Sequence, residues 1–225
     1  MEMAANFLSH KECQAWIEML DRPSAQLLSN SMRVCRRITL TDEQAAKLLF
    51  DRALSTFPKL HQLMSDEYGN TWKPSGLGHI IRVCGYEAGG KFEKHVDDEL
   101  QLNWEQCGLA TFMVYLNSVP WEHEGATRFF NERGEVVRRI QPSEGTAICF
   151  PVHNVVHDGQ PLLHGKKYIL RTSVIYNLEH CKDEDKWKEI VAEQDLLNHP
   201  ELSELELFKV EKELQAKVRA YKALE

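Results

Sequence analysis

The chain has 225 residues and a mass of 26.0 kDa, which fits one domain with extensions or at most two small domains. Hydrophobic residues make up 43% of it and aromatic residues 9%, enough for a packed core, so a disordered chain is excluded. The formal net charge is -7 and the isoelectric point about 5.8, and this acidic balance argues against a nucleic acid as the main partner.

Helical periodicity dominates the first third of the chain. Residues 10–20 and 41–56 place apolar side chains at positions i, i+3 and i+4, the spacing of one helix face. The second segment opens with Thr41 and Asp42, which are typical helix-capping residues. We therefore expect two helices in this part of the chain.

Strand-like segments fill the middle of the chain. They are short, rich in β-branched or aromatic residues and separated by Gly, Pro and Asn, and they cover residues 78–84, 109–117, 136–140, 146–151 and 167–176. No helical pattern separates them, which favours an antiparallel sandwich or barrel over a doubly wound sheet.

From residue 182 the pattern returns to helix. Residues 182–197 and 203–224 are charged and amphipathic and contain no Gly. We expect a single domain over residues 1–180, with its β-core at about 78–178, followed by a helical extension over 181–225. A charged run of this kind is usually a solvated face, and a homodimer contact through it is the lesser alternative.

The six cysteines are widely spaced and form no C-x-x-C pair, which favours a reducing compartment. The first ten residues lack the apolar core of a signal peptide, and no stretch approaches the ~20 apolar residues of a membrane span. We therefore expect a protein of the cytoplasm, with the nucleus as the alternative, and no membrane partner.

Candidate chemistry begins with His95 and Asp97 in the segment KFEKHVDD. Two residues apart on a strand, their side chains project from the same face. An imidazole and a carboxylate supply two ligands of the facial triad that suits non-haem Fe(II) oxygenases, and a second His would complete it. The pair alone is a weak signal, because a solvated loop can carry it by chance.

Three histidines are candidates for the third ligand: His153, His157 and His164. Lys167 and Arg171 follow on a predicted strand, four residues apart and hence on one face. A dicarboxylic co-substrate held by Fe(II) needs such a cation to bind its distal carboxylate. Taken singly, each cation is equally well explained as part of a polar strand face paired with acids.

Five motifs, in order, resemble the catalytic domain of 2-oxoglutarate- and Fe(II)-dependent dioxygenases, and of prolyl 4-hydroxylase-like members in particular. They are Tyr86-Glu-Ala-Gly-Gly-Lys-Phe-Glu-Lys-His95-Val-Asp97, Phe112-Met-Val-Tyr-Leu-Asn117, Glu124-Gly-Ala-Thr-Arg-Phe-Phe130, Pro142-Ser-Glu-Gly-Thr-Ala-Ile-Cys-Phe150 and His157-Asp-Gly-Gln-Pro161 with its following Gly165-Lys-Lys-Tyr168. The resemblance covers roughly residues 6–178, with residues 32–53 at the place of the family's supporting helices. It implies an α+β fold with a double-stranded β-helix core of the jelly-roll or cupin-like type.

By this resemblance, His95, Asp97 and His157 are the iron ligands and the catalytic residues. Relatives that halogenate carry a small residue at the position of Asp97, so its carboxylate favours hydroxylation. His153 is implied as a structural or supporting neighbour of the distal ligand, and His164 as part of a loop.

The resemblance also implies a 2-oxoglutarate site. Lys167 lies ten residues after His157, the spacing of the family's co-substrate lysine, and Arg171 is a second cation of the same pocket. Tyr86 and Tyr115 match tyrosines that line this pocket in relatives, although an ordinary core aromatic explains each equally well.

Residues around these motifs carry weaker expectations. Thr127 either supports the site or shapes its turn. Residues 98–108, which begin with Asp98 and Glu99, are expected to form a mobile substrate-facing loop. Trp104 and Trp121 either flank the substrate mouth or pack in the core.

The implied reaction is hydroxylation of an unactivated C–H bond, coupled to decarboxylation of 2-oxoglutarate to succinate and CO2. The implied co-substrates are 2-oxoglutarate and O2, with Fe(II) as the metal and ascorbate as a candidate reductant. A prolyl residue of a protein or peptide is the first candidate substrate, and a free amino acid or other small molecule is the second. A metal-binding β-sandwich without turnover is the third, and the two cations behind His157 count against it.

Overall fold

The computed structural model describes residues 1–198 and 202–224, and it divides into two compact units. The first unit comprises Met1–Leu60, Gly76–Leu100 and Gly108–Ile175, and the second comprises His61–Ser75, Gln101–Cys107 and the described residues from Tyr176 onward. Within the described residues the α-helices are α1 (His10–Glu18), α2 (Glu43–Thr56), α3 (Glu184–Leu197) and α4 (Glu204–Lys222). The strands are β1 (Glu2–Ala4), β2 (Gln26–Ser29), β3 (Arg33–Thr41), β4 (Met64–Ser65), β5 (Thr71–Leu77), β6 (Ile80–Tyr86), β7 (Lys91–His95), β8 (Leu100–Asn103), β9 (Gln106–Tyr115), β10 (Thr127–Phe130), β11 (Val136–Ile140), β12 (Ala147–Pro151), β13 (His157–Gly159) and β14 (Lys167–His180).

The sheet of the first unit runs in the order β1-β12-β9-β14-β6-β3-β7-β13-β10-β11, and β2 pairs with β3 beside it. The pairings of β12 with β1 and β9, of β6 with β14 and β3, and of β13 with β7 and β10 are antiparallel, and the curled sheet forms a double-stranded β-helix core. The predicted fold class is therefore confirmed. Each of the five predicted strand segments falls on a strand of this structure.

Capping residues set where the helices begin. Ser9 and Glu12 form a reciprocal capping box at the start of α1, and Asp42 accepts a hydrogen bond of 2.8 Å from the Ala45 amide at the start of α2, as predicted. α2 then buries one stripe of side chains at helical spacing, namely Ala46, Leu49, Phe50 and Ala53.

Side chains of β9 alternate between two packed faces of the sheet. Phe112 makes T-shaped ring contacts with Phe7 at 5.2 Å and with Phe57 at 6.0 Å. Met113 and Tyr115 point to the other face, where they join an apolar cluster with Tyr86. This second face carries the candidate site.

The second unit is held together by aromatic side chains with satisfied polar atoms. The Trp187 ring lies 6.2 Å from that of Trp72 and 5.9 Å from that of Tyr221. The Tyr221 hydroxyl donates to Asn70 Oδ1 at 2.6 Å, and Trp187 Nε1 donates to the Trp104 carbonyl at 2.9 Å. Trp104 therefore contributes a backbone contact to the packing of this unit.

Two local expectations were wrong. Residues 33–41, assigned to supporting helices, form β3, which is stabilised by antiparallel pairing with β6 over Arg36–Thr41 and with β2 over Val34–Arg37. Residues 98–108, assigned to a loop, contain β8 and the start of β9. The predicted terminal helices occur as α3 and α4, and residues 199–201 and 225 of that extension lie outside the described residues. Among the described residues, the longest helices fall short of the length and apolarity that crossing a membrane requires.

Gly145 tests the packing between the amino-terminal segment and the sheet. Its φ is +69°, and an added Cβ would lie 2.2 Å from the Leu8 carbonyl oxygen. We expect Gly145→Ala to lower the free energy of unfolding by at least about 2 kcal/mol, measured by denaturant titration. Gly134 has a φ of +77° with no atom within 4 Å of an added Cβ, so Gly134→Ala should cost only about 1 kcal/mol. Equal losses would show that the Leu8 contact is unimportant.

Candidate metal centre

Two strands bring the predicted ligands together. His95 ends β7 and is paired directly with His157 of β13, while Asp97 follows two residues after His95. One potential ligand atom from each of the three residues lies within 4.8 Å of the other two. The shortest of these contacts are His95 Nε2 to Asp97 Oδ1 at 3.4 Å and His157 Nε2 to Asp97 Oδ2 at 3.6 Å.

Backbone contacts orient both imidazoles. His95 Nδ1 lies 2.7 Å from the Glu93 carbonyl and His157 Nδ1 lies 3.0 Å from the Val155 carbonyl, so each Nδ1–H donates and each Nε2 keeps its lone pair. His95 Nε2 is buried without a hydrogen-bond partner. Burial also lowers the pKa of His157, which favours the neutral form that a metal requires.

Asp97 is a buried carboxylate held by several partners. Arg171 Nη2 lies 2.6 Å from Oδ1, and the Thr111 hydroxyl donates to Oδ2 at 2.5 Å. Burial opposes ionisation, but the pKa of Asp97 is held well below its usual range, with the positive charge of Arg171 and the hydrogen bond from Thr111 among the causes. The carboxylate is therefore ionised at neutral pH.

This donor set fits Fe(II). Two neutral imidazoles and one carboxylate, converging on one point, match the two-His-one-carboxylate triad of non-haem iron oxygenases, which leaves coordination positions open for substrates. The buried Nε2 of His95 supports a missing partner, because buried polar atoms in proteins are normally satisfied. The cavity next to these side chains measures about 40 Å³.

Lys167 lines the same cavity. It is itself a buried cation, and it has no carboxylate partner among the described residues. It is 4% exposed, and its Nζ donates to the Gly125 carbonyl at 2.8 Å. Among the described residues no carboxylate oxygen lies within 4 Å of it. Burial lowers the pKa of Lys167 to about 8, an effect opposed by the negative charge of Asp158. An unpaired buried ammonium is costly, which makes this a position suited to an anionic ligand.

The other predicted co-substrate residues differ in their contacts. Arg171 lines the cavity with its guanidinium on Asp97. Tyr86 is buried with its ring centroid 5.4 Å from Lys167 Nζ, and Tyr115 is buried with its hydroxyl donating to Thr127 Oγ1 at 2.8 Å. Thr127 thus shares the cavity and orients Tyr115.

The lining of this cavity does not include several of the predicted residues, namely Tyr115, His153, His164, Asp98, Glu99, Trp104 and Trp121. His153 Nε2 contacts Glu99 Oε2 at 3.3 Å, and the His164 ring lies 5.7 Å from that of His123. Trp121 is 61% exposed, with the Arg139 guanidinium 5.1 Å from its ring centroid. Asp98 is exposed beside the metal-facing segment.

Sequence reasoning missed three supports of the site. Thr111 could have been found from strand alternation, because it lies four residues before Tyr115 on β9. Phe92 stacks on His95 with ring centroids 3.6 Å apart; it belongs to the motif that ends at Asp97, but its contact with His95 was not predicted. Arg128 of β10 donates two hydrogen bonds to the Asp158 carboxylate, at 2.9 and 2.5 Å. Asp158 is adjacent to His157, so this pair holds the part of β13 that carries the ligand.

Comparison with known proteins agrees with this geometry. The sequence model of the 2OG-Fe(II) oxygenase superfamily matches residues 81–185, which include every residue of the candidate centre. A search of curated protein sequences finds no match to the chain.

Solved structures share the fold at low sequence identity. The viral collagen prolyl hydroxylase of Paramecium Bursaria Chlorella virus-1, with 2OG, is 20% identical (TM-score 0.53, covering 78% of this chain and 95% of that one). A Pseudomonas putida prolyl-4-hydroxylase is 15% identical (TM-score 0.54, 80% and 92%). A Trichoplax adhaerens prolyl hydroxylase, in complex with a hypoxia inducible factor oxygen degradation domain peptide, is 14% identical (TM-score 0.55, 84% and 86%). At such identities the likeness establishes the fold alone.

Proposed function

We propose that the chain hydroxylates prolyl residues of a protein or peptide and converts 2-oxoglutarate to succinate and CO2 in the same reaction. The premise is its domain of the 2OG-Fe(II) oxygenase superfamily, whose sequence model matches residues 81–185. The observation that supports this most is the pairing of two features in one cavity. The first is the convergence of the His95, Asp97 and His157 side chains. The second is Lys167, which is buried and has no carboxylate partner among the described residues.

Each residue has a definite part in the proposed reaction. His95, Asp97 and His157 hold Fe(II), which supplies O2 activation and oxidative decarboxylation when bound. Lys167 binds the distal carboxylate of 2-oxoglutarate through a charge-assisted hydrogen bond. Arg171 and Thr111 orient Asp97, and the apolar walls exclude water, so the C–H bond and co-substrate are held together in a dry site.

The peptide substrate is supported by the fold alone. The three structural neighbours described above are named as prolyl hydroxylases, and the Trichoplax enzyme is in complex with a peptide. A metal-binding module without turnover has no use for a buried cation such as Lys167, which argues against that alternative. We further propose that residues 1–180 make up the oxygenase domain, that residues 181–225 extend it, and that ascorbate serves as reductant.

The test is direct. Purified protein with Fe(II), 2-oxoglutarate and O2 should form succinate, and mass spectrometry should find +16 Da products on proline-containing peptides. If hydroxylated products are found on a small metabolite and none on peptides, the substrate is a small molecule and not a prolyl residue, and the enzyme class is unchanged. Absence of both succinate formation and 2-oxoglutarate binding would refute the proposed activity.

A further inference from the structure

Arginine side chains line up beside the metal centre on the site-facing side of three adjacent strands. Arg171 of β14 and Arg82 of β6 are directly paired, so their side chains project from the same face. Arg82 is in turn paired with Thr39 of β3, which places Arg37, two residues away, on that face and diagonal to Arg82. Because the Arg171 guanidinium contacts Asp97, this face is the one that carries the site.

Arg33 extends this row along β3. Its guanidinium carbon lies 3.5 Å from the ring centroid of Phe92, and that ring stacks on His95. Arg33 Nε is buried without a hydrogen-bond partner. Phe92 therefore lies between Arg33 and the ligand His95, and Arg171 lies between Arg82 and the ligand Asp97. We call Arg33, Arg37 and Arg82 the arginine rim.

Positive charge in the arginine rim is uncompensated by protein acids. Among the described residues, none of its three members has a salt bridge to a carboxylate, although the chain has 34 acids against 27 Lys and Arg. Burial lowers the pKa of Arg82, and the charges of Arg171, Arg37 and Arg33 lower it further, so the four positive fields overlap. Like charges side by side on a sheet destabilise it, and an anionic ligand would remove that cost.

We infer that the arginine rim binds acidic side chains of a peptide substrate and so selects prolyl sites that lie close to Asp or Glu. This inference rests on the proposed function. Asp97 is already paired with Arg171, and 2-oxoglutarate has its proposed partners in the metal and Lys167. Neither of these two anions therefore compensates the positive charge of the arginine rim. Arg33 and Arg37 are four residues apart on one strand, about 13 Å, which an extended peptide spans more readily than a single small acid does.

Peptide selection tests this inference. A random peptide library with a fixed central proline is passed over the immobilised wild-type chain loaded with Fe(II) and 2-oxoglutarate without O2, and the retained peptides are sequenced. We expect enrichment of Asp and Glu near the proline by about ten-fold, weakened at high salt. Arg37→Gln and Arg82→Gln should each reduce it. Arg36→Gln is the matched control, because Arg36 lies next to Arg37 on β3 but is exposed on the opposite face.

The outcomes separate this inference from the proposed function. No acidic enrichment by the wild type, or equal enrichment by Arg36→Gln and both rim variants, would overturn the role of the arginine rim. Succinate formation by the wild type, assayed in parallel, reports the proposed function independently. Arg37→Gln and Arg82→Gln remove one of several neighbouring like charges, so their melting temperatures should not fall, and a measured melt separates lost binding from lost folding.

Discussion

His157→Ala is expected to reduce succinate formation more than about a hundred-fold, since changes to residues that only support a metal ligand already cost 10–100-fold. The variant removes one of two imidazoles and leaves Fe(II) with His95 and Asp97. The fold should persist, because Asp97 keeps its contacts with Arg171 and Thr111 and no buried charge is left unpaired. Turnover and Fe(II) affinity, the latter by equilibrium binding with an optical readout, should fall together.

His153→Ala is the matched control for that prediction. His153 lies four residues earlier, and its side chain is 42% exposed and contacts Glu99 instead of the metal centre. Its replacement should leave Fe(II) affinity within about two-fold of wild type, since an exposed ion pair contributes little. If His153→Ala lost iron and His157→Ala retained it, the assignment of the distal ligand would be wrong.

The chemistry of the site is more readable from the sequence than its supports are. Strand alternation and the ordered motifs allow His95, Asp97 and His157 to be predicted as ligands. The structure places them close together because β7 pairs with β13. Phe92 and the pair of Arg128 and Asp158 depend on which strands become neighbours, and β7, β13 and β10 are far apart in the chain.

The segment that forms β3 shows why local pattern reasoning also failed. In Arg33–Thr41, polar and apolar residues alternate only from Arg37 to Thr41, and the adjacent charges of Arg36 and Arg37 weaken the strand signal. The strand is stabilised by pairing with β6 on one side and β7 on the other, which sequence periodicity does not reveal. The same pairing places Arg33 and Arg37 beside the metal centre.

Lys167→Met is expected to raise the KM for 2-oxoglutarate by about 10- to 100-fold, because it removes a charge-assisted hydrogen bond worth roughly 1.5–3 kcal/mol. Met keeps most of the side-chain volume, so the core should not collapse. Fe(II) affinity should remain near that of wild type, because Lys167 contacts the Gly125 carbonyl and not a metal ligand. Steady-state kinetics at varied 2-oxoglutarate measure the effect.

Lys166→Met and Arg171→Gln make that assignment falsifiable. Lys166 is adjacent, its side chain is 59% exposed, and it lies 3.5 Å from Glu87, so its replacement should leave the KM unchanged. Arg171→Gln should weaken Fe(II) retention, since Arg171 orients Asp97. If Lys167→Met were silent and Arg171→Gln raised the KM at unchanged Fe(II) affinity, Arg171 would be the anchor of the co-substrate.

The pH dependence of 2-oxoglutarate binding follows from the same side chain. Burial lowers the pKa of Lys167 to about 8, and only the protonated ammonium attracts a carboxylate. Affinity should therefore be greatest below pH 8 and should fall as the pH rises through that value, while bound 2-oxoglutarate moves the pKa of Lys167 upward by linkage. Lys167→Met has no such proton, so its weaker binding should vary little between pH 7 and 9. A wild-type profile that is flat over this range would mean that the charge of Lys167 does not contribute to binding.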